Sequence, residues 1–191
     1  MNRLEELKKL EAKRQKKMRL VLLGALLSVD SEQELIPKLR KSSVEILEEI
    51  KDIRKASYAI ADKYSEDTHR ANDKDRQLIL VAAALALISH VAKRIVISEK
   101  ESYASKAKDA VNNSESIIER LVSTEIYEAN MKKLMANYKD DKTVLFMWNA
   151  IGEKRTCDSC AARDGNVYKA EDVPEYDHPR CSCVLEIVSG G

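Results

Sequence analysis

Over most of the chain, apolar residues recur at steps of three and four, the spacing of one face of an α-helix. From Arg3 to Leu27 the stripe is Leu4, Leu7, Leu10, Met18, Val21, Leu22, Ala25 and Leu26, interrupted by the basic run Lys13 to Arg19. This predicts an amphipathic helix with a basic middle that stops near Val29 and Asp30. Ser31-Glu32-Gln33-Glu34 reads as a capping box that restarts a helix, with Pro37 suited to a first turn. The second helix, to about Tyr64, carries Leu39, Val44, Ile46, Leu47, Ile50, Ile53, Ala56 and Ile60. Asn72 or Asp73 can cap a third, over 76–97, whose run Leu78 to Ile88 is apolar on every side and is therefore expected at the centre of a bundle. That run is well short of the ~20 residues a bilayer span needs, so no membrane span is expected. A fourth helix covers about Ser114 to Tyr138.

Beyond Tyr138 the pattern changes. Thr143 to Ile151 is strand-like, Gly152 to Arg155 a turn, Asp164-Gly165 a hairpin signal, Asn166 to Tyr168 a short strand and Cys183 to Val188 another. A boundary is expected at Lys139-Asp140-Asp141-Lys142, giving a helical domain over 1–140 and a small Cys/His module over 141–191.

Composition narrows the class. Five Gly and three Pro in 191 residues leave little material for the turns of a sandwich or barrel, so a large β fold is excluded. The formal charge of +1 conceals an asymmetry, because residues 1–20 hold eight basic and three acidic side chains. The basic stretch Lys13, Arg14, Lys16, Lys17 and Arg19 is a candidate for phosphate contact, whose affinity would fall steeply with salt. Its bland alternative is a solvated helix face, since Glu5, Glu6 and Glu11 share the helix and no aromatic residue interleaves. The Leu4, Leu7 and Leu10 stripe is a third candidate surface, for docking another protein helix. No credible secretory signal is present, so the cytosol is the expected compartment.

All four cysteines lie in the last 35 residues. Cys157-x-x-Cys160 is followed, after 20 residues, by Cys181-x-Cys183, with His178 three positions before Cys181. Two close ligand pairs separated by such a loop are a usual way to hold a tetrahedral Zn²⁺. A small segment with little core gains folding free energy from that cross-link. Cys157, Cys160 and Cys183 are the expected ligands, and Cys181 and His178 contest the fourth place. A redox role for Cys-Asp-Ser-Cys is disfavoured because no βαβ pattern puts the pair at a helix N-terminus. Trp148 and Tyr168 flank the site and are expected to pack over it. His-x-Glu, His-Glu-x-x-His, Gly-rich phosphate loops and nucleophile elbows are all missing, so the metal is read as structural and the protein as no enzyme.

The order of motifs over Ser114 to Val188 resembles the Mu F-like head morphogenesis family of phage minor head proteins. The resemblance rests on a helix with Arg120, Thr124-Glu125 and Asn130. It continues with Trp148-Asn-Ala, Arg155-Thr-Cys157-x-x-Cys160, Asp164-Gly165-x-Val-Tyr168 and His178-Pro-x-Cys181-x-Cys183. The chain departs from the family pattern at Ser123, Arg180 and Ser182, where arginine or asparagine is usual, and keeps every candidate ligand. The resemblance implies a low-copy virion component, in the head interior or at the portal vertex, that joins portal protein and major capsid protein in a multi-subunit assembly. Packaged DNA is a further candidate partner during packaging or ejection. The expected fold is mainly α, an elongated bundle of about four helices followed by a short β-rich zinc knob of α+β type. The rival reading is a zinc-ribbon protein that binds nucleic acid in regulation.

Overall fold

A computed structural model describes residues 2–29, 32–66, 68–69, 71, 76–95, 103–151, 156–176, 178 and 181–189. The expected caps at Ser31, Asn72 and Asp73, the end of the third helix at 96–97 and the turn at Gly152 to Arg155 lie outside them. The elements run α1 (Arg3–Leu27), α2 (Glu32–Lys63), α3 (Arg76–Arg94), α4 (Tyr103–Asn112), α5 (Glu115–Asn137), β1 (Val144–Asn149), α6 (Asp158–Arg163), β2 (Val167–Lys169) and β3 (Val184–Ser189). The protein is thus mainly helical with a small sheet, but six helices are described where about four were expected. The unexpected ones are α4 and α6. Pro37 sits in the second turn of α2 rather than the first, because the helix already begins at Glu32.

Two compact units partition the chain: Met1–Glu11, Ile53–Asn72 and Ser123–Gly191 form the first, and Ala12–Asp52 with Asp73–Val122 the second. The first contains the sheet, whose strand order is β2-β1-β3 with both pairings antiparallel. Alternation along β1 turns Phe146 and Trp148 to the buried face. They join Leu185, Cys160, Cys181 and Cys183 in one cluster with Met131, Leu134 and Tyr138 at the end of α5 and Ala61 at the end of α2. Residues on both sides of the 138–143 turn therefore share a core.

Much of this unit's helix packing is polar. Arg54 of α2, 4% exposed, pairs at 2.8 Å with Glu125 of α5, and Ser57 Oγ donates to the Ile126 carbonyl at 2.5 Å. The Asn130 amide donates to the Ser57 carbonyl at 3.2 Å, and the Asn137 amide to Asp62 and Ser65 at 3.0 Å each. On α1, Leu7 is fully buried, so the Leu4-Leu7-Leu10 stripe is used inside the chain and is not a free docking face. Glu11 accepts from the hydroxyls of Ser123 at 2.6 Å and Tyr127 at 3.1 Å.

In the second unit, Met18, Leu22 and Leu26 of α1 and Leu39, Ile46 and Ile50 of α2 are buried. Val44 is instead exposed, while Ser42 and Glu49 take buried positions. The basic run explains itself there: Arg14 Nη1 lies 2.7 Å from buried Glu49, and Lys17 pairs with the same carboxylate. By length and composition α3 is the one helix, among the described residues, apolar enough to cross a membrane. Leu80, Ala84, Leu87, Ile88 and Val91 are buried within the protein. Leu78, Ile79, Val81 and Leu85 are exposed, so α3 is not the fully buried centre that its sequence suggested.

Candidate metal centre

A six-residue helix and one strand bring the cysteine pairs together. Cys157 is the N-cap of α6, in extended conformation, and its Sγ accepts from the Cys160 N–H at 3.4 Å. The pair thus does sit at a helix N-terminus, though the strands flanking α6 are antiparallel and make no βαβ unit. A thiol replaces the usual Ser or Asp cap because its sulfur both caps the turn and faces the other donors. Asp164-Gly165 makes the turn from α6 into β2, not a hairpin, since a helix and not a strand precedes it. Gly165 has φ 76°, a backbone region that L side chains rarely adopt. Its N–H donates to the Trp148 carbonyl at 2.8 Å, and Asp164 Oδ1 accepts from the Ala150 N–H at 2.8 Å. The turn thus pins α6 to the end of β1. From the other side, the segment leading into β3 delivers Cys181 and Cys183, both buried, although the strand expected from Cys183 begins only at Val184.

All five candidate donors meet. His178 Nε2 lies 3.0 Å from Cys157 Sγ and 3.0 Å from Cys160 Sγ, and the Cys160 and Cys181 sulfurs are 3.4 Å apart. Cys157, Cys160 and His178 form one group with ligand atoms within 4.8 Å of one another; Cys160, Cys181 and Cys183 form a second. Cys160 belongs to both. Donors around a tetrahedral ion with bonds of about 2.0 to 2.3 Å would stand roughly 3.5 to 3.8 Å apart, so modest outward shifts accommodate one.

The thiols differ in how readily they ionise, which a metal ligand must do. Burial pushes the Cys160 thiol up to about 12. Cys183 is lowered to about 6, first by a hydrogen bond from Cys181, then by Cys160 and the Trp148 indole, against desolvation. That same bond to Cys183, together with burial, raises Cys181. Trp148 is buried, and its Nε1 makes no hydrogen bond of normal geometry among the described residues. Its N–H acts on Cys183 from nearby, the outer-shell role that tunes a metal-bound sulfur. The Arg163 guanidinium lies over the Trp148 ring, 5.1 Å from its centroid. Soft sulfur and imidazole donors, one of them already favouring the thiolate, could hold a metal ion.

Tyr176 is the supporting residue that the sequence did not single out. Its ring stacks on His178 at 6.4 Å between centroids, and its hydroxyl donates to the Cys181 carbonyl, joining both sides of the cluster. An aromatic residue two positions before the His-Pro pair was the available signal. Tyr168 is half-buried at the margin of the same core. Within the Thr124-Glu125 pair, Glu125 is buried against Arg54.

The family model described as phage Mu protein F like protein matches residues 89–186. The chain belongs to this family. The matched segment begins inside α3 and ends in β3, so it includes every donor of the cluster. No curated protein and no solved structure matches the chain. Membership places the Mu F-like chain among phage head-related, virion-associated proteins.

Of the expected phosphate-contact residues, Arg14 and Lys17 pair with Glu49, and Arg19 pairs with Glu115 and bonds Asn112 at 3.0 Å. Lys13 and Lys16 are exposed.

Proposed function

We propose that this Mu F-like protein is a minor head protein of a tailed phage or prophage, contacting portal and capsid protein at the head interior, and that it is a structural component with no catalytic role. Zn²⁺ held by the Cys/His cluster is its structural cofactor: sulfur and imidazole donors in a small volume select a borderline-soft tetrahedral ion. The observation that carries the reading is the family match, which encloses a donor cluster built into the core beside Phe146, Trp148 and Leu185. When bound, the ion would cross-link α6 to the approach of β3 and so pre-organise the surface that this part of the chain offers to a partner. Cys157 and Cys160 would hold it from the α6 side, Cys183 from the approach of β3, and Cys181 or His178 would close the set.

Co-expression of the chain with the portal and major capsid proteins of the same genome tests the assignment. Co-purification with portal protein is expected, in a complex that carries close to one zinc per chain. A chain that ignores both partners would refute the assembly role, and binding to DNA in their absence would favour the zinc-ribbon rival. That rival has less support, because three of the five basic residues already serve ion pairs within the chain.

A further inference from the structure

The donor cluster contains a pair of sulfurs placed for a reaction that metal binding does not use. Cys160 Sγ and Cys181 Sγ are 3.4 Å apart, on opposite sides of the cluster and 21 positions apart in sequence. An S–S bond is about 2.05 Å, so they need approach by only about 1.4 Å. Both residues are buried, yet both line a cavity of about 220 Å³ that also includes Thr156, His178 and Cys183. That space is enough for a small oxidant to reach sulfurs that a protein thiol could not.

We propose that Cys160 and Cys181 are a built-in oxidation site, joining as a disulfide when the metal-loaded module meets a peroxide, so that a covalent link replaces the ionic one. The inference rests on the metal reading above. One thiolate attacks a peroxide oxygen; the O–O bond breaks, leaving a sulfenic acid and, with one proton, a water. The second thiolate attacks that sulfur, and the departing hydroxide takes another proton to become a second water. Two sulfurs lose one electron each, and the peroxide gains both. The cluster keeps only Cys157, His178 and Cys183 as donors, and metal affinity falls. The link still joins α6 to the approach of β3, so the fold outlasts the ion in an oxidising medium.

The test uses the full chain, reduced, loaded with Zn²⁺ and assayed for metal beforehand. It is treated with hydrogen peroxide, quenched with N-ethylmaleimide, digested and sequenced by mass spectrometry. The expected product is about 2 Da lighter, with Cys160 linked to Cys181, and a chromogenic chelator should report release of roughly one equivalent of zinc. The Cys157→Ser/Cys183→Ser variant should still form the link, and Cys160→Ser should not. Linkage of Cys157 to Cys160, linkage through Cys183, or sulfinic acids alone would overturn the proposal in the wild-type chain regardless of how the variants fold. Reduced protein that never takes up zinc but still forms the Cys160–Cys181 link would instead sink the metal reading and leave the sulfur pairing standing.

Discussion

Removing the Arg54 guanidinium is the sharpest test of how the first unit is held together. Arg54 Nη1 lies 2.8 Å from Glu125 and 3.7 Å from Glu128, and its Nη2 lies 3.1 Å from the Tyr58 hydroxyl. At 2.8 Å, with an effective dielectric constant near 20, attraction in the first pair is roughly 6 kcal/mol. Desolvation of both groups offsets most of that, so the intact pair contributes little net stability, whereas deleting one partner leaves the other's burial uncompensated. Glu128 also has Lys132 at 2.8 Å nearer the surface, so the loss falls mainly on the buried pairing of Arg54 with Glu125. Arg54→Ala should therefore cost about 3 to 5 kcal/mol, which for a chain of this size lowers the melting temperature by roughly 10 °C. The double variant Arg54→Met/Glu125→Leu, which removes both charges and keeps the volume, should stay within about 2 kcal/mol of wild type. Thermal and urea unfolding followed by circular dichroism measure both. A loss below about 1 kcal/mol for Arg54→Ala would mean the pair behaves as a solvated one, and additive losses in the double variant would mean the two charges are not coupled.

Three further outcomes are expected. Because Cys160 is common to both donor groups, Cys160→Ser should lose more bound metal than Cys181→Ser or His178→Ala, by elemental analysis of reduced protein; equal losses would contradict the shared position. The Asp141 carboxyl is held below its ordinary value of 3.8 by the Thr143 hydroxyl at 2.7 Å and the Thr143 N–H at 2.9 Å. A lowered folded-state value means its contribution is complete above the unfolded pKa and disappears as pH falls through the folded one. An NMR titration should show the low value, and Asp141→Asn should flatten that part of the acid limb; an unshifted titration would refute it. Expressed alone, residues 89–186 should fail to fold cooperatively, because they contain Glu125 and Leu134 but neither Arg54 nor Ala61; a sharp unfolding transition would contradict this.

The parts of the fold legible in the sequence are those governed by local periodicity. The bounds of α1 and α2 and the extents of β1 and β3 follow from the spacing of Leu, Ile and Val, and the convergence of Cys157, Cys160, Cys181 and Cys183 follows from their paired spacing. Polar residues that are buried leave no such trace. Glu49 and Arg54 read as surface letters, and each finds its partner 35 or 71 positions away, a distance at which a single sequence carries no pairing signal. The short helix α4 escaped notice because Tyr103-Ala-Ser-Lys-Ala-Lys-Asp-Ala-Val-Asn112 offers only Ala107, Ala110 and Val111 to bury. Asp164-Gly165 misled in a different way. The same left-handed glycine that closes a hairpin also ends a helix, and only what precedes it decides which.

Charge and apolar surface divide differently between the two units, and that division bears on what the protein meets. In the second unit three of the five basic residues of the α1 run, Arg14, Lys17 and Arg19, pair with Glu49 and Glu115, and Lys13 and Lys16 are exposed. The same unit exposes Leu20, Leu27, Ile36, Val44, Leu78, Ile79, Val81 and Leu85, eight of the ten large apolar side chains that are exposed among the described residues. Single exposed leucines are ordinary, but Leu78, Val81 and Leu85 recur at steps of three and four along one face of α3, with no charged side chain between Arg76 and Lys93. The proposed assembly role therefore draws on two separate features: the metal cluster, which fixes the shape of the first unit, and the apolar face of α3, which gives the second unit something to bury against a protein partner.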